Sequence, residues 1–381
     1  MAKKTQKAIC IFGSIYMLEQ VMQLENQIAD ALHSDDIEAV HQLRVASRRL
    51  RNGFSHFGDC LPGKKSTVWQ ESIRQITKAL GNARDLDIQI ECVNQLYNDG
   101  LEEKYQPGYR RLLLRLRQRR AKAQAKVEQT LTRLQARNLL QQMRTHLEKL
   151  TLGAEDIYLF TPSLYQKAFM AVNDHLDDFL SYEAHIHDPE NIEKLHAMRI
   201  AGKHLRYTME IFAPIYDKAL IPYVQVMKDL QDQLGLIHDA DIWVSWLPKF
   251  IEKEKVRIED YFGNIGPLKR LLPGFKYLIE DRQKFRMDEY QAFLSTWETL
   301  KAENAWMSLK EIIKIPINVE AALSHYTVEE TFEPEADDLD ENDDDEAEAS
   351  EFEVELPPGM LDEPSSENDL PSSAEKPTQE T

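Results

Sequence analysis

The sequence predicts an all-α fold built as a tandem duplication, and three observations carry that prediction. An eleven-residue stretch, His41-Gln42-Leu43-Arg44-Val45-Ala46-Ser47-Arg48-Arg49-Leu50-Arg51, returns 155 residues later as His196-Ala197-Met198-Arg199-Ile200-Ala201-Gly202-Lys203-His204-Leu205-Arg206. A second element, L-G-x-x-[RH]-D-x-D, stands at Leu80 to Asp87 and again at Leu234 to Asp241. Around both, Leu, Ala, Gln, Arg, Lys and Glu dominate long segments of helical period, and strand alternation is scarce before residue 326.

The first helix is expected over about 14–32, with Ile15, Leu18, Met22 and Ile28 among its apolar positions. Asp35 and Asp36 cap the first motif helix, which ends between Asp59 and Gly63. A third helix over about 66–80 stops at Gly81, and a fourth starts after Asp85 and fades near Asn98 to Gly100. The L-G-x-x-[RH]-D-x-D element then has a simple role: glycine ends one helix and aspartate caps the next. Its carboxylates can also orient neighbouring arginines. Pro107 precedes a long basic helix to about Leu150. The pattern restarts with a helix from Pro162 to about Tyr182, and Asp188-Pro189 opens the second motif helix. A helix from Lys218 stops at Gly235, and the next runs from Asp239 and Asp241 to about Lys255. After Gly263, Gly266, Pro267, Pro273 and Gly274, a long helix covers about Phe275 to Leu300.

At about 100° per residue, Leu43, Leu50, Phe54 and Phe57 share one helical face. Met198, Leu205, Met209 and Phe212 do so in the second copy. Beside that seam His41, Arg44, Arg48 and Arg51 form a stripe, matched by His196, Arg199, Lys203 and Arg206. Like charges three and four residues apart destabilise a helix, so an anion is expected to offset the repulsion. A solvated face would account for one such stripe. It does not account for a histidine and three bases at the same offsets in both copies. Further bases recur at Arg74 and Lys228 and, at a looser offset of 163, at Arg119 and Arg282.

The net charge of −19 is unevenly spread. Residues 327–381 hold 22 Asp or Glu and one lysine, leaving 45 basic and 43 acidic side chains in the rest. That tail is too polar to offset its ordering entropy by burial and is expected to be disordered. Cys10, Cys60 and Cys92 are far apart, odd in number, without metal-ligand spacing and too few for a disulfide framework. The uncharged run from Ala8 to Leu18 is too short to span a bilayer and no small-residue cleavage site follows, so a cytoplasmic protein without a membrane partner is expected.

The paired H-x-x-R-[VI]-A-x-[RK]-[RH]-L-R motifs, their L-G-x-x-[RH]-D-x-D companions and the helical duplication together resemble the CHAD domain, the conserved histidine α-helical domain, over about residues 10–300. The resemblance implies two helical bundles, 10–155 and 160–300, related by a pseudo-twofold axis with a basic groove or pore between them. Residues 301–326 then form a helical extension and 327–381 the acidic tail. It also implies non-catalytic binding of inorganic polyphosphate and, for some members, location at polyphosphate granules. Carried over by position, the binding bases are His41, Arg44, Arg48, Arg51, Arg74, Arg119, His196, Arg199, Lys203, Arg206, Lys228 and Arg282. Arg49 where the second copy has His204 leaves that spot unmatched.

Chemistry agrees with such a ligand. A linear polyphosphate has charge but no bases to read, which calls for forked arginine donors rather than aromatic platforms. Nucleic-acid backbone is the competing polyanion, but the motif helices lack the aromatic interleaving of single-strand binders. A metal-dependent phosphate-handling enzyme is the weaker alternative. His41, His196, His238, Asp85 and Asp239 could be its ligands, but arginine beside each histidine disfavours a cation. Glu351-Phe352-Glu353-Val354-Glu355 lacks the lysine of an E-x-E-x-K phosphohydrolase motif. No phosphate-cradling glycine loop or nucleophile motif is present. No cofactor is expected.

Overall fold

In the computed structural model, residues 2–33, 37–152, 154 and 159–314 are described. They form α1 (Ala2–His33), α2 (Ile37–Phe57), α3 (Gly63–Asn98), α4 (Gln106–Ala136), α5 (Leu139–Thr151), α6 (Pro162–Leu180), α7 (Ile192–Phe212), α8 (Ile221–Phe262), α9 (Leu268–Ala302) and α10 (Ala305–Lys314). No strand occurs among the described residues, and no helix of theirs is long and apolar enough to cross a membrane. The described part of 301–326 holds the last two residues of α9, a turn and α10, and the acidic tail lies outside the described residues.

Local sequence sets several boundaries. Thr161 caps α6 by accepting a hydrogen bond from the Leu164 N–H, and Pro162 sits in its first turn, where the missing donor costs little. Asn138, at φ 50°, divides α4 from α5, so the helix expected from Pro107 to Leu150 is two helices. Helix α1 starts at Ala2, not near residue 14. Ala8, Ile11 and Met17 of the uncharged run are buried in helical register.

The expected breaks at Gly81 and Gly235 do not exist. Helices α3 and α8 pass straight through both L-G-x-x-[RH]-D-x-D elements, α8 for 42 residues. Asp85, Asp87, Asp239 and Asp241 therefore cap nothing; they lie mid-helix. Packing overrides the local punctuation. Leu80 and Ala83 are buried on either side of Gly81, as are Leu234 and Ile237 around Gly235, and Gly81 lies against the Arg44 guanidinium. A methyl on Gly81 would meet Arg44 Nε at 3.6 Å, an ordinary contact. Gly81→Ala should thus stabilise the protein by about 0.5–1 kcal/mol in a urea titration. A glycine in a left-handed cap would instead lose stability on the same change.

In the first half, α1 packs on α2 and α5, α2 on α3, and α3 on α4. In the second, α6 packs on α7 and α10, α7 on α8, and α8 on α9. Across the halves α1 meets α6, α2 meets α7 and α4 meets α9. One large apolar core joins both halves, and a smaller one fills the crossing of α3, α4, α8 and α9 around Tyr109, Trp243, Phe250 and Phe275. Where α4 crosses α9 the two backbones touch. A methyl on Gly274 would lie 2.3 Å from the Tyr105 carbonyl oxygen, and one on Gly108 would lie 2.5 Å from that of Leu271, so only glycine fits at either position. Tyr105 and Tyr277 stack beside this crossing at 4.3 Å.

The cysteine reading also changes. Cys10 and Cys60 form a disulfide, linking α1 to the 3₁₀ turn that follows α2. Fifty residues separate them, and the antiparallel return of α2 along α1 brings them together. Cys92 is free.

Candidate anion site

Each motif helix is enclosed on several sides, α2 by α1, α3 and α7, and α7 by α6, α8 and α2. The motif stripes are consequently inside the protein. His41, Arg44, Arg48, Arg199, Lys203 and Arg206 are each no more than 3 % exposed. The stripe expected to lie beside the core is part of it, because neighbouring helices cover both faces. Arg51 and His196 are half-buried.

The two copies meet around Tyr207. Arg48 of the first copy lies over the Tyr207 ring at 5.0 Å and Arg206 of the second at 4.7 Å. Arg206 also donates to the Tyr207 hydroxyl at 3.1 Å. Glu210 sits 3.4 Å from Arg49 and 3.5 Å from Arg206, so one carboxylate joins α2 to α7. Behind them, Ser47 donates to the Arg44 carbonyl and Thr77 of α3 donates to Ser47.

The mid-helix element supplies the opposite wall. His238 of α8 lies 3.1 Å from His196, Nδ1 to Nδ1, so one ring donates the proton and the other accepts it. Burial, reinforced by Arg199, His196 and Lys203, holds His238 well below the ordinary histidine range. Burial pushes the Asp239 carboxyl up to about 8 against the pull of Arg199, with Asp85 of the other half pushing the same way and Arg282 opposing. At neutral pH a large fraction of Asp239 keeps its proton.

The remaining expected bases separate. Arg119 is half-buried over the Trp246 ring at 5.2 Å, and burial lowers its guanidinium pKa to about 10. Arg282 donates to Cys92 Sγ at 3.6 Å and to Asp281 at 2.6 Å. They are not matched positions. The side chains that recur are Arg120, bonded to Asp87 at 2.6 Å, and Arg286, bonded to Asp241. With the Gly108 and Gly274 crossing, this sets an offset of 166 here, where the sequence suggested 163. Lys228 is half-buried on α8. Arg74 is exposed and bonded to Glu71 one turn away. The sequence reading missed Tyr207, Glu210, Trp246 and Cys92. Of these, only Glu210 carried a signal, standing four residues beyond Arg206 on the motif helix.

Guanidinium groups gathered in this way offer forked donors of the kind that oxyanions accept. Among the described residues, no group of three or more His, Cys, Asp or Glu is placed to hold a metal ion.

Comparison with known proteins places these features. Residues 15–248 match the family model of the CHAD domain. Two uncharacterized proteins of Mycobacterium tuberculosis, MT2285 of strain CDC 1551 / Oshkosh and Rv2226 of strain ATCC 25618 / H37Rv, are each 27 % identical over 201 residues. The match covers 47 % of this chain and 35 % of each relative, so the chain spans about a third of their length. The crystal structure of the CHAD domain from the plant Ricinus communis superposes with a TM-score of 0.55 at 19 % identity, covering 76 % of this chain and 91 % of that one. PptA from Streptomyces chartreusis gives 0.51 at 14 % identity, covering 76 % and 99 %. At such identities these two structures speak for the fold alone. The family match spans more than half of the sequence, and the chain belongs to the CHAD domain family.

Proposed function

We propose that the protein binds inorganic polyphosphate, without catalysis, at the junction of its two motif helices. The observation that carries this reading is a gathering of bases at one place. Helices α2 and α7 touch and bring together six buried basic side chains, three from each copy of the motif. Their guanidiniums present forked donors that match phosphoryl oxygens.

Half-buried His196, Arg119 and Arg282 form the edge through which a phosphate chain reaches the covered bases. The like-with-like meetings of α1 with α6, α2 with α7 and α4 with α9 support a duplication about a pseudo-twofold axis. That symmetry suits a ligand whose repeating units look alike from either end. Location at polyphosphate granules would follow from the same affinity.

Calorimetric titration at matched salt tests the reading. Long-chain polyphosphate should bind more tightly than single-stranded RNA of equal charge. Its log–log salt slope should be about −0.7 per neutralised phosphate. Equal affinity for RNA would point to a general polyanion backbone site and overturn the assignment.

A further inference from the structure

Away from the motif helices, three arginines converge on one buried carboxylate. Glu254 of α8 is fully buried and accepts from Arg111 Nε at 2.6 Å, Arg115 Nε at 2.7 Å and Arg257 Nη1 at 2.6 Å. Burial pushes its carboxyl up, but the hydrogen bonds from Arg111, Arg257 and Arg115 prevail and hold it below the usual carboxylate range. One arginine would neutralise Glu254; three leave a local charge of about +2. Each arginine side chain stays 23 to 28 % exposed, and each guanidinium has five N–H donors in a fixed fork. Glu254 takes one nitrogen from each, and Arg115 gives another to Gln118 at 2.9 Å. All three side chains keep partial exposure around this one carboxylate.

We propose that Arg111, Arg115 and Arg257, gathered by Glu254, form a second oxyanion site for a phosphoryl group on the outer side of the α4–α8 contact. Glu254 acts as the organiser, orienting guanidiniums that would otherwise repel one another. The site also lies on a continuous line of bases. Arg111, Arg115 and Arg119 follow at intervals of four on α4, and Arg119 rests on Trp246, two turns of α8 from Glu254. A phosphate chain leaving the motif junction past Arg119 would meet Arg115 one turn, about 5.4 Å, farther along. This continuation rests on the polyphosphate reading, whereas the oxyanion site itself does not.

The test uses the full chain and two variants. R111Q/R257Q leaves Arg115 to hold Glu254. E254Q/R111Q/R257Q removes the buried carboxylate with its partners and guards against misfolding of the first variant. Thermal stability in orthophosphate, against chloride at equal ionic strength, should rise for the wild type and not for either variant. No rise in the wild type, or an equal rise in folded variants, would overturn the site. With long polyphosphate both variants should lose affinity about tenfold, and their salt slopes should be shallower by roughly 1.4, two neutralised phosphates' worth. An unchanged affinity and slope would remove the site from the path of the chain. Should the wild type bind no polyphosphate at all, the proposed function fails, and the orthophosphate result still decides the oxyanion site alone.

Discussion

Replacing Arg44 and Arg199 together by alanine should cost the protein both its ligand and a large part of its stability. Both side chains are buried, Arg44 beside Gly81 of α3 and Arg199 acting on Asp239 and His238 of α8. Truncation leaves two side-chain-sized voids and removes a cation from a carboxyl already strained by burial. The double variant should lose about 3–5 kcal/mol or more in urea unfolding. Methionine at both positions fills most of the volume without the charge, and it separates the two losses. R44M/R199M should remain helical by circular dichroism while its polyphosphate affinity falls and its salt slope becomes shallower by about 1.4. Normal binding by the folded methionine variant would show that the buried bases serve packing alone.

Acidification should weaken the contact between the halves through His56. Its ring lies 3.0 Å from Thr208 Oγ1 of α7 and 6.1 Å from His175 of α6, and His175 in turn lies 5.7 Å from His204 of α7. Phe57 and Phe212 pack on its edges. Burial, then His175, Lys167 and His204, push the His56 pKa down to about 4, and burial and His204 lower His175 as well. A histidine depressed in the folded state stays neutral there while the unfolded chain takes a proton. Its contribution is therefore intact above about pH 6.5 and is lost as pH falls towards 4. The depression corresponds to about 3 kcal/mol.

Asp239 acts with the opposite sign, since its raised pKa favours the folded state as pH falls below 8. The whole-protein curve mixes the two, so the informative quantity is a difference. His56→Gln keeps a hydrogen-bonding partner for Thr208 and cannot charge. It should match the wild type near pH 7.5 and exceed it by about 2–3 kcal/mol near pH 4.5. Parallel loss of stability in both proteins would exclude His56 as the acid-sensitive group.

The sequence by itself determined the helical class, the duplicated motif and the chemical nature of the candidate site. Periodicity of 3.6 and a repeated set of bases are written along the chain, and each can be read one helix at a time. Even the seam was legible: Leu43, Leu50, Phe54 and Phe57 are buried as their spacing requires, as are Met198, Leu205, Met209 and Phe212. What only the tertiary structure decided depends on what stands opposite each helix. A stripe of arginine and histidine looks solvated on an isolated helix, and it becomes interior only because α3, α7 and α8 close over it. Gly81 reads as a stop signal from its neighbours in sequence, yet it lies mid-helix against Arg44 of another helix, and the long packed faces of α3 carry the helix through. Cys60, Arg111 and Arg48, which meet Cys10, Glu254 and Tyr207, lie 50, 143 and 159 residues away from them, and no local pattern encodes such distances. Helix formation is a local property of the chain, whereas burial, charge pairing and the gathering of bases into a site are properties of contacts between helices.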